Sequence, residues 1–186
     1  MFVIQIVGTN WGHKKSGLAV AAMLFALAAT PAAAGTAPSQ AKVIVLRPLS
    51  FFLVQDMNLG DILPGIAGGT VRLFPNGTRI ATGTVVLVGS SHQPARFAGL
   101  GTQNELVSIT VAPVTATLTG PGAPMLLSLI EIGSTPTAIL TGTPSFFRIT
   151  SAIGNFNFPV GGTLAVGANQ APGVYSGTFT LTLNYL

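Results

Sequence analysis

The sequence predicts an all-β sandwich of two mostly antiparallel sheets. Three observations carry that expectation. Short runs alternate apolar and polar residues; Gly, Pro and Asn turn chemistry separates them; and nothing after residue 34 shows the 3.6-residue apolar period of a helix.

Taken in chain order, the expected strands are 42–46, 50–54, 70–74, 84–88, 105–111, 125–132, 146–150, 155–160, 163–166 and a closing stretch, 175–185. Val71 and Leu73 flank Arg72, Val107, Ile109 and Val111 flank Ser108 and Thr110, and Phe156 and Phe158 flank Asn157. Each run therefore offers one face to a core and one to solvent. In "FPNGTR" (74–79), Asn76-Gly77 supplies the positive φ that a tight hairpin needs, while "GPGAP" (120–124) and "NQAPG" (169–173) punctuate later runs. In the closing stretch Tyr175, Phe179, Leu181, Leu183 and Tyr185 share one parity; Ser176, Thr178, Thr180, Thr182 and Asn184 share the other. It reads as a central strand, with segment 41–54 expected beside it, in cis or donated by another copy.

The start of the chain has a different character. His13-Lys14-Lys15 precede an apolar run over 17–29, then Thr30-Pro31 and Ala32-Ala33-Ala34 before Gly35, the order of a secretory signal peptide with an A-x-A cleavage site. The expected organisation is a signal peptide over 1–34 and a single domain over 35–186, exported to the periplasm, cell surface or extracellular space. The apolar run is shorter than a membrane-spanning helix requires, and no later segment reaches that length without Gly, Pro or polar interruption, so no spanning segment is expected after cleavage.

Cleavage also changes the charge. Without Lys14 and Lys15, six basic residues face four acidic ones, a net charge of +2. The remaining cations, Lys42, Arg47, Arg72, Arg79, Arg96 and Arg148, are scattered singly, so nucleic acid is not an expected partner despite a pI near 10.2. Cysteine is absent, and a mature chain of about 150 residues must rest on its apolar core alone. With 6% charged residues and a mean hydropathy of +0.65, its surface is poorly defended against association.

Residues able to carry chemistry are few. After the leader the chain has one histidine, His92 in "GSSHQP", which reads as an exposed loop residue, and no G-x-S-x-G elbow. Its acids are Asp56, Asp61, Glu105 and Glu131; only Asp56 and Asp61 lie close in sequence, and the simpler reading has all four capping turns and keeping edges soluble. No Cys/His cluster suggests zinc, no Asp-rich loop calcium, and "PGIAGGT" (64–70) lacks the lysine of a phosphate loop. No catalytic, cofactor-binding or metal-binding residue is therefore assigned. "NGT" at 76–78 matches a glycosylation triplet but is better explained as a turn. A small outer-membrane barrel would need aromatic girdles, yet Trp11 lies in the leader and Tyr175 and Tyr185 are the only tyrosines.

"MNLGDILPG" (57–65), "GTVRLFPNGTR" (69–79), "PARFAGLG" (94–101), "LVSITV" (106–111) and "VGGTLAVGANQAPGVYSGTFTLTLNY" (160–185) together resemble the bacterial domain-of-unknown-function family 4402. Met57-Asn58-Leu59-Gly60 departs from that family's usual Leu-x-Phe-Gly while keeping its apolar spacing. The early element and the closing Gly-x-Tyr strand are also similar to spore-coat-protein-U-type and archaic chaperone–usher pilus subunits. That resemblance implies an immunoglobulin-like sandwich exported to the periplasm, with other copies, related subunits and a periplasmic chaperone as partners. The expected function is a non-enzymatic structural subunit of the cell surface, fimbria-like, assembled by β-strand pairing. The alternative is a monomeric exported module that binds a glycan or lipid, with an enzyme third.

Overall fold

The computed structural model describes residues 40–133 and 137–186. The leader expected over 1–34, its cleavage site and the start of the following tail lie outside them.

Among the described residues thirteen strands form, every pair antiparallel: β1 (Ser50–Gln55), β2 (Asp61–Leu63), β3 (Gly69–Leu73), β4 (Arg79–Gly83), β5 (Val86–Val88), β6 (Ala95–Leu100), β7 (Leu106–Ala112), β8 (Ala116–Leu118), β9 (Met125–Ile132), β10 (Ala138–Ile139), β11 (Ser145–Arg148), β12 (Asn155–Val166) and β13 (Thr180–Tyr185). The long strand β12 is the spine of an eight-stranded sheet. Its Val160 pairs with both Ala95 and Ile132, and its Leu164 with both Val71 and Leu127. Thus β6 and β3 follow one another along one flank of β12, and β9 runs along the other. Beyond them lie β1 on β6, β4 on β3, and β8 and β10 on β9.

The opposing layer is divided. A three-stranded sheet, β11-β7-β13, covers one half of the large sheet, and the two-stranded ribbon β2-β5 covers the other. Each half encloses its own core. Val107, Ile109, Phe147 and Leu181 meet Ile130, Ile132, Phe158 and Val160 in the first, while Val71, Leu118, Met125, Leu127, Leu164 and Val166 pack with Ile62 and Leu87 in the second.

Both cores lie on one face of the sheet because of a bulge. Along β12 the inward residues 158, 160, 164 and 166 keep one parity, but along β9 they switch from Met125 and Leu127 to Ile130 and Ile132. The switch falls at Leu129, whose φ is 49°, where the β9–β12 register slips by one residue. Without that extra residue Ile130 and Ile132 would point to the solvent face.

Several expectations change in detail. The runs 155–160 and 163–166 are one strand: the glycines between them read as punctuation, but a Cβ on Gly161 would stand 2.2 Å from the Leu73 carbonyl, so glycine is what lets β12 continue past β3. The hairpin at Asn76-Gly77 forms with positive φ at Gly77 alone, as the Asn76 side chain accepts from Thr78 N at 2.9 Å and closes a longer turn. Residues 42–46 are not a strand. Nor does segment 41–54 lie beside the closing strand: β1 pairs with β6 in the large sheet, and β13 pairs with β7 in the small one. The closing strand is an edge rather than central, although Leu181 faces inward and Thr180, Thr182 and Asn184 outward as its alternation demands.

Candidate functional site

Between the ribbon and the chain leading into β13 the surface is indented, although the second core beneath it is covered, with Leu118, Met125, Leu127 and Leu164 3–8% exposed. A cleft of about 480 Å³ opens there, floored by Leu118, Met125, Leu127 and Leu164 from the large sheet. One wall is residues 56–62, the other 173–179.

Hydrogen bonds to backbone fix both walls. Asn58 exchanges a pair of backbone bonds with Gln93, at 2.9 and 2.8 Å, and its side chain accepts from Gly60 N at 2.8 Å. Gly60 adopts φ 75°, and a Cβ there would stand 2.2 Å from Arg79 Nη1. Glycine at this place in "MNLG" is therefore demanded twice, by the left-handed backbone and by the guanidinium behind it. Arg79 donates from Nη1 to the Leu59 carbonyl at 2.7 Å and from Nη2 to those of Val88 and Gly89 at 3.0 and 3.1 Å, tying β4 to the ribbon. On the other wall the Tyr175 hydroxyl accepts from Gly122 N at 2.9 Å and from Gln170 Nε2 at 2.8 Å, and donates to the Ala171 carbonyl at 2.9 Å. Ser176 is bridged to Thr119 by backbone bonds of 2.9 and 3.0 Å.

The wall continues into an open edge. Leu186 N donates to the Leu106 carbonyl at 3.2 Å, in register with the β13–β7 ladder, so the peptide groups of residues 180, 182, 184 and 186 face β7. Those of Leu181, Leu183 and Tyr185 face away, and among the described residues no strand pairs with them. At the far end of β13 the Tyr185 hydroxyl accepts from Thr102 N at 2.7 Å and donates to the Arg47 carbonyl at 2.9 Å. Arg47 N in turn donates to Thr102 Oγ1, and its Nη1 to the Ile153 carbonyl.

Ahead of that anchor the chain is bare. Val43, Ile44 and Val45 are 84%, 67% and 86% exposed, and Leu46 is also on the surface. Four consecutive apolar residues are outside any strand, and the continuous run 43–46 that reads as a strand in sequence pairs with no strand among the described residues, although Val45 lines a shallow hollow with Thr102 and Ile153.

The ionisable residues are dispersed around this frame. Asp56 and Asp61 are the two acids lining the cleft, both exposed. Glu131 is on the opposite, outer face of the large sheet, in an ion pair with Arg72 at 2.8 Å, and Glu105 precedes β7. His92, expected to be an exposed loop residue, is half-buried against the 74–78 turn, with Nε2 3.1 Å from the Gly77 carbonyl. The Asn58–Gln93 bridge draws its loop inward. Among the described residues no three His, Cys, Asp or Glu side chains gather as a metal site would require, and no helix is long and apolar enough to cross a membrane. What the cleft offers is an apolar floor between two backbone walls, with carboxylates on one rim and unpaired peptide groups along the adjoining edge.

A family model described as a domain of unknown function, DUF4402, matches residues 49–185, all thirteen strands. The chain belongs to that family. No curated protein and no solved structure matches it. The family match begins at Leu49, so the exposed residues 43–46 precede the family domain and both walls of the cleft lie within it.

Proposed function

We propose that the chain is an exported, non-enzymatic structural subunit of the cell surface, fimbria-like, whose copies assemble by β-strand pairing. The observation that carries the reading is the pair of unfinished elements on one molecule: a bare apolar segment at 43–46, and a closing strand with an unpaired edge. An apolar extended segment gains backbone hydrogen bonds and side-chain burial together when it adds to a sheet edge. Export is supported by the order of basic, apolar and small residues over 13–34.

Sedimentation of the exported protein tests this. The chain beginning at Gly35 is expected to give a series of oligomers, and a variant lacking residues 35–46 but keeping the Arg47 anchor a single monomeric species with unchanged β circular dichroism. Equal masses for the two would refute strand pairing through this segment.

A further inference from the structure

We infer that Asn76 is a site of spontaneous deamidation in this chain, and that the folded turn around it, with His92 as its clamp, sets the rate. The inference is independent of the assembly reading above.

The reaction is an attack by the backbone nitrogen of the following residue on the side-chain amide. Gly77 N bonds to Asn76 Cγ, the Cγ–Nδ2 bond breaks, and ammonia leaves with the proton that Gly77 N gives up. Water then opens the cyclic imide at one of its two carbonyls, giving aspartate or isoaspartate at position 76. A side chain on the attacking residue hinders the approach. Asn76 alone among the asparagines precedes glycine; the others precede Trp, Leu, Glu, Phe, Gln or Tyr. Asn76 is exposed, and a Cβ built on Gly77 would meet only Pro94 Cδ, at 4.0 Å, so water reaches this peptide.

The fold holds the reacting groups back. The nucleophile, Gly77 N, donates to the Phe74 carbonyl at 2.9 Å, and Phe74 N donates to the Thr78 carbonyl at 2.8 Å. The electrophile is tied as well, since Asn76 Oδ1 accepts from Thr78 N at 2.9 Å. From outside the turn, His92 Nε2 donates to the Gly77 carbonyl at 3.1 Å. Its Nδ1 is buried with no partner among the described residues, so the ring proton belongs on Nε2, where this bond needs it. The Asn58–Gln93 backbone bridge fixes the loop that carries His92. Attack requires the Asn76 side chain and the Gly77 peptide to rotate toward one another, which breaks the bonds of Gly77 N and Asn76 Oδ1 and works against the grip on the Gly77 carbonyl. His92 is thereby a positioning residue for the turn. Its products differ: aspartate keeps an oxygen for Thr78 N, whereas isoaspartate lengthens the main chain by one atom and puts Thr78 out of register with Phe74.

Ageing of the purified protein in mildly alkaline buffer, with and without denaturing urea, tests this by peptide mapping that separates asparagine, aspartate and isoaspartate. Rates are compared at a temperature where circular dichroism shows every variant folded in the absence of urea. The expected result is modification at position 76 ahead of every other asparagine, about tenfold or more slower in the folded protein than in urea. His92→Ala should raise the folded rate about two- to fivefold and leave the urea rate unchanged. His92→Gln, whose amide can still donate to the Gly77 carbonyl, should restore most of the protection. Equal rates with and without urea, faster change at another asparagine, a folded His92→Ala rate equal to that of the unsubstituted protein, or a His92→Gln rate as high as that of His92→Ala would each overturn the inference.

Discussion

Phe158→Ala is expected to lower the unfolding free energy by about 3–5 kcal/mol and, for a domain of this size, the melting temperature by roughly 6–20 °C. Phe158 is 3% exposed on β12, with ring centroids of Phe51, Phe97, Phe147 and Phe156 at 5.7, 6.0, 6.2 and 6.4 Å. Four of the five rings stack within the large sheet, and Phe147 meets Phe156 and Phe158 edge-on from the small one. This contact joins the two layers in a protein with no disulfide to do so, and truncating its centre leaves a cavity that four surrounding rings cannot all collapse to fill. Thr180→Ala, on the exposed face of β13, should cost less than about 1 kcal/mol in the same thermal or denaturant titration.

Arg79→Met is the second large effect, about 2–3 kcal/mol in denaturant unfolding. Its guanidinium serves the carbonyls of Leu59, Asp61, Val88 and Gly89, reaching the 59–61 wall with one nitrogen and the end of β5 with the other. Methionine keeps much of the volume and leaves those acceptors without their donor. Arg79→Lys should recover less than half of the loss, since a single ammonium cannot reproduce the planar fork that spans both groups. Loss of this strut should also loosen the 56–62 wall of the cleft.

Alternation made most of the strands legible before any coordinates. Met125 to Ile132 is a strand over its whole expected length, and Val71, Val107, Ile109 and Leu181 are buried as their parity requires. Sheet order was not legible, because pairing partners are chosen by fit between distant segments. Nothing local in Ser50 to Gln55 shows that it joins β6, and the β9 bulge that keeps both cores on one face appears in sequence only as a broken alternation, Ser128-Leu129-Ile130. Residues 43–46 illustrate the opposite failure. Their composition is that of a strand, but a strand exists only with a partner, and none of the described residues provides one. The cleft was hidden for a related reason: its walls are irregular chain held by Arg79 and Tyr175, and the outward signs were the glycine in "MNLG" and a tyrosine set in "GVYSG".

Hydrogen exchange along β13 reaches the central claim, that the sandwich is left open beside its closing strand. In the monomer lacking residues 35–46, the amides of Thr182 and Asn184, which face β7, should be protected, and those of Leu181, Leu183 and Tyr185 should exchange freely. In the assembled full-length protein all five should be protected. Protection of Leu181, Leu183 and Tyr185 already in the truncated monomer would mean that the edge is closed within one chain, and would contradict the account.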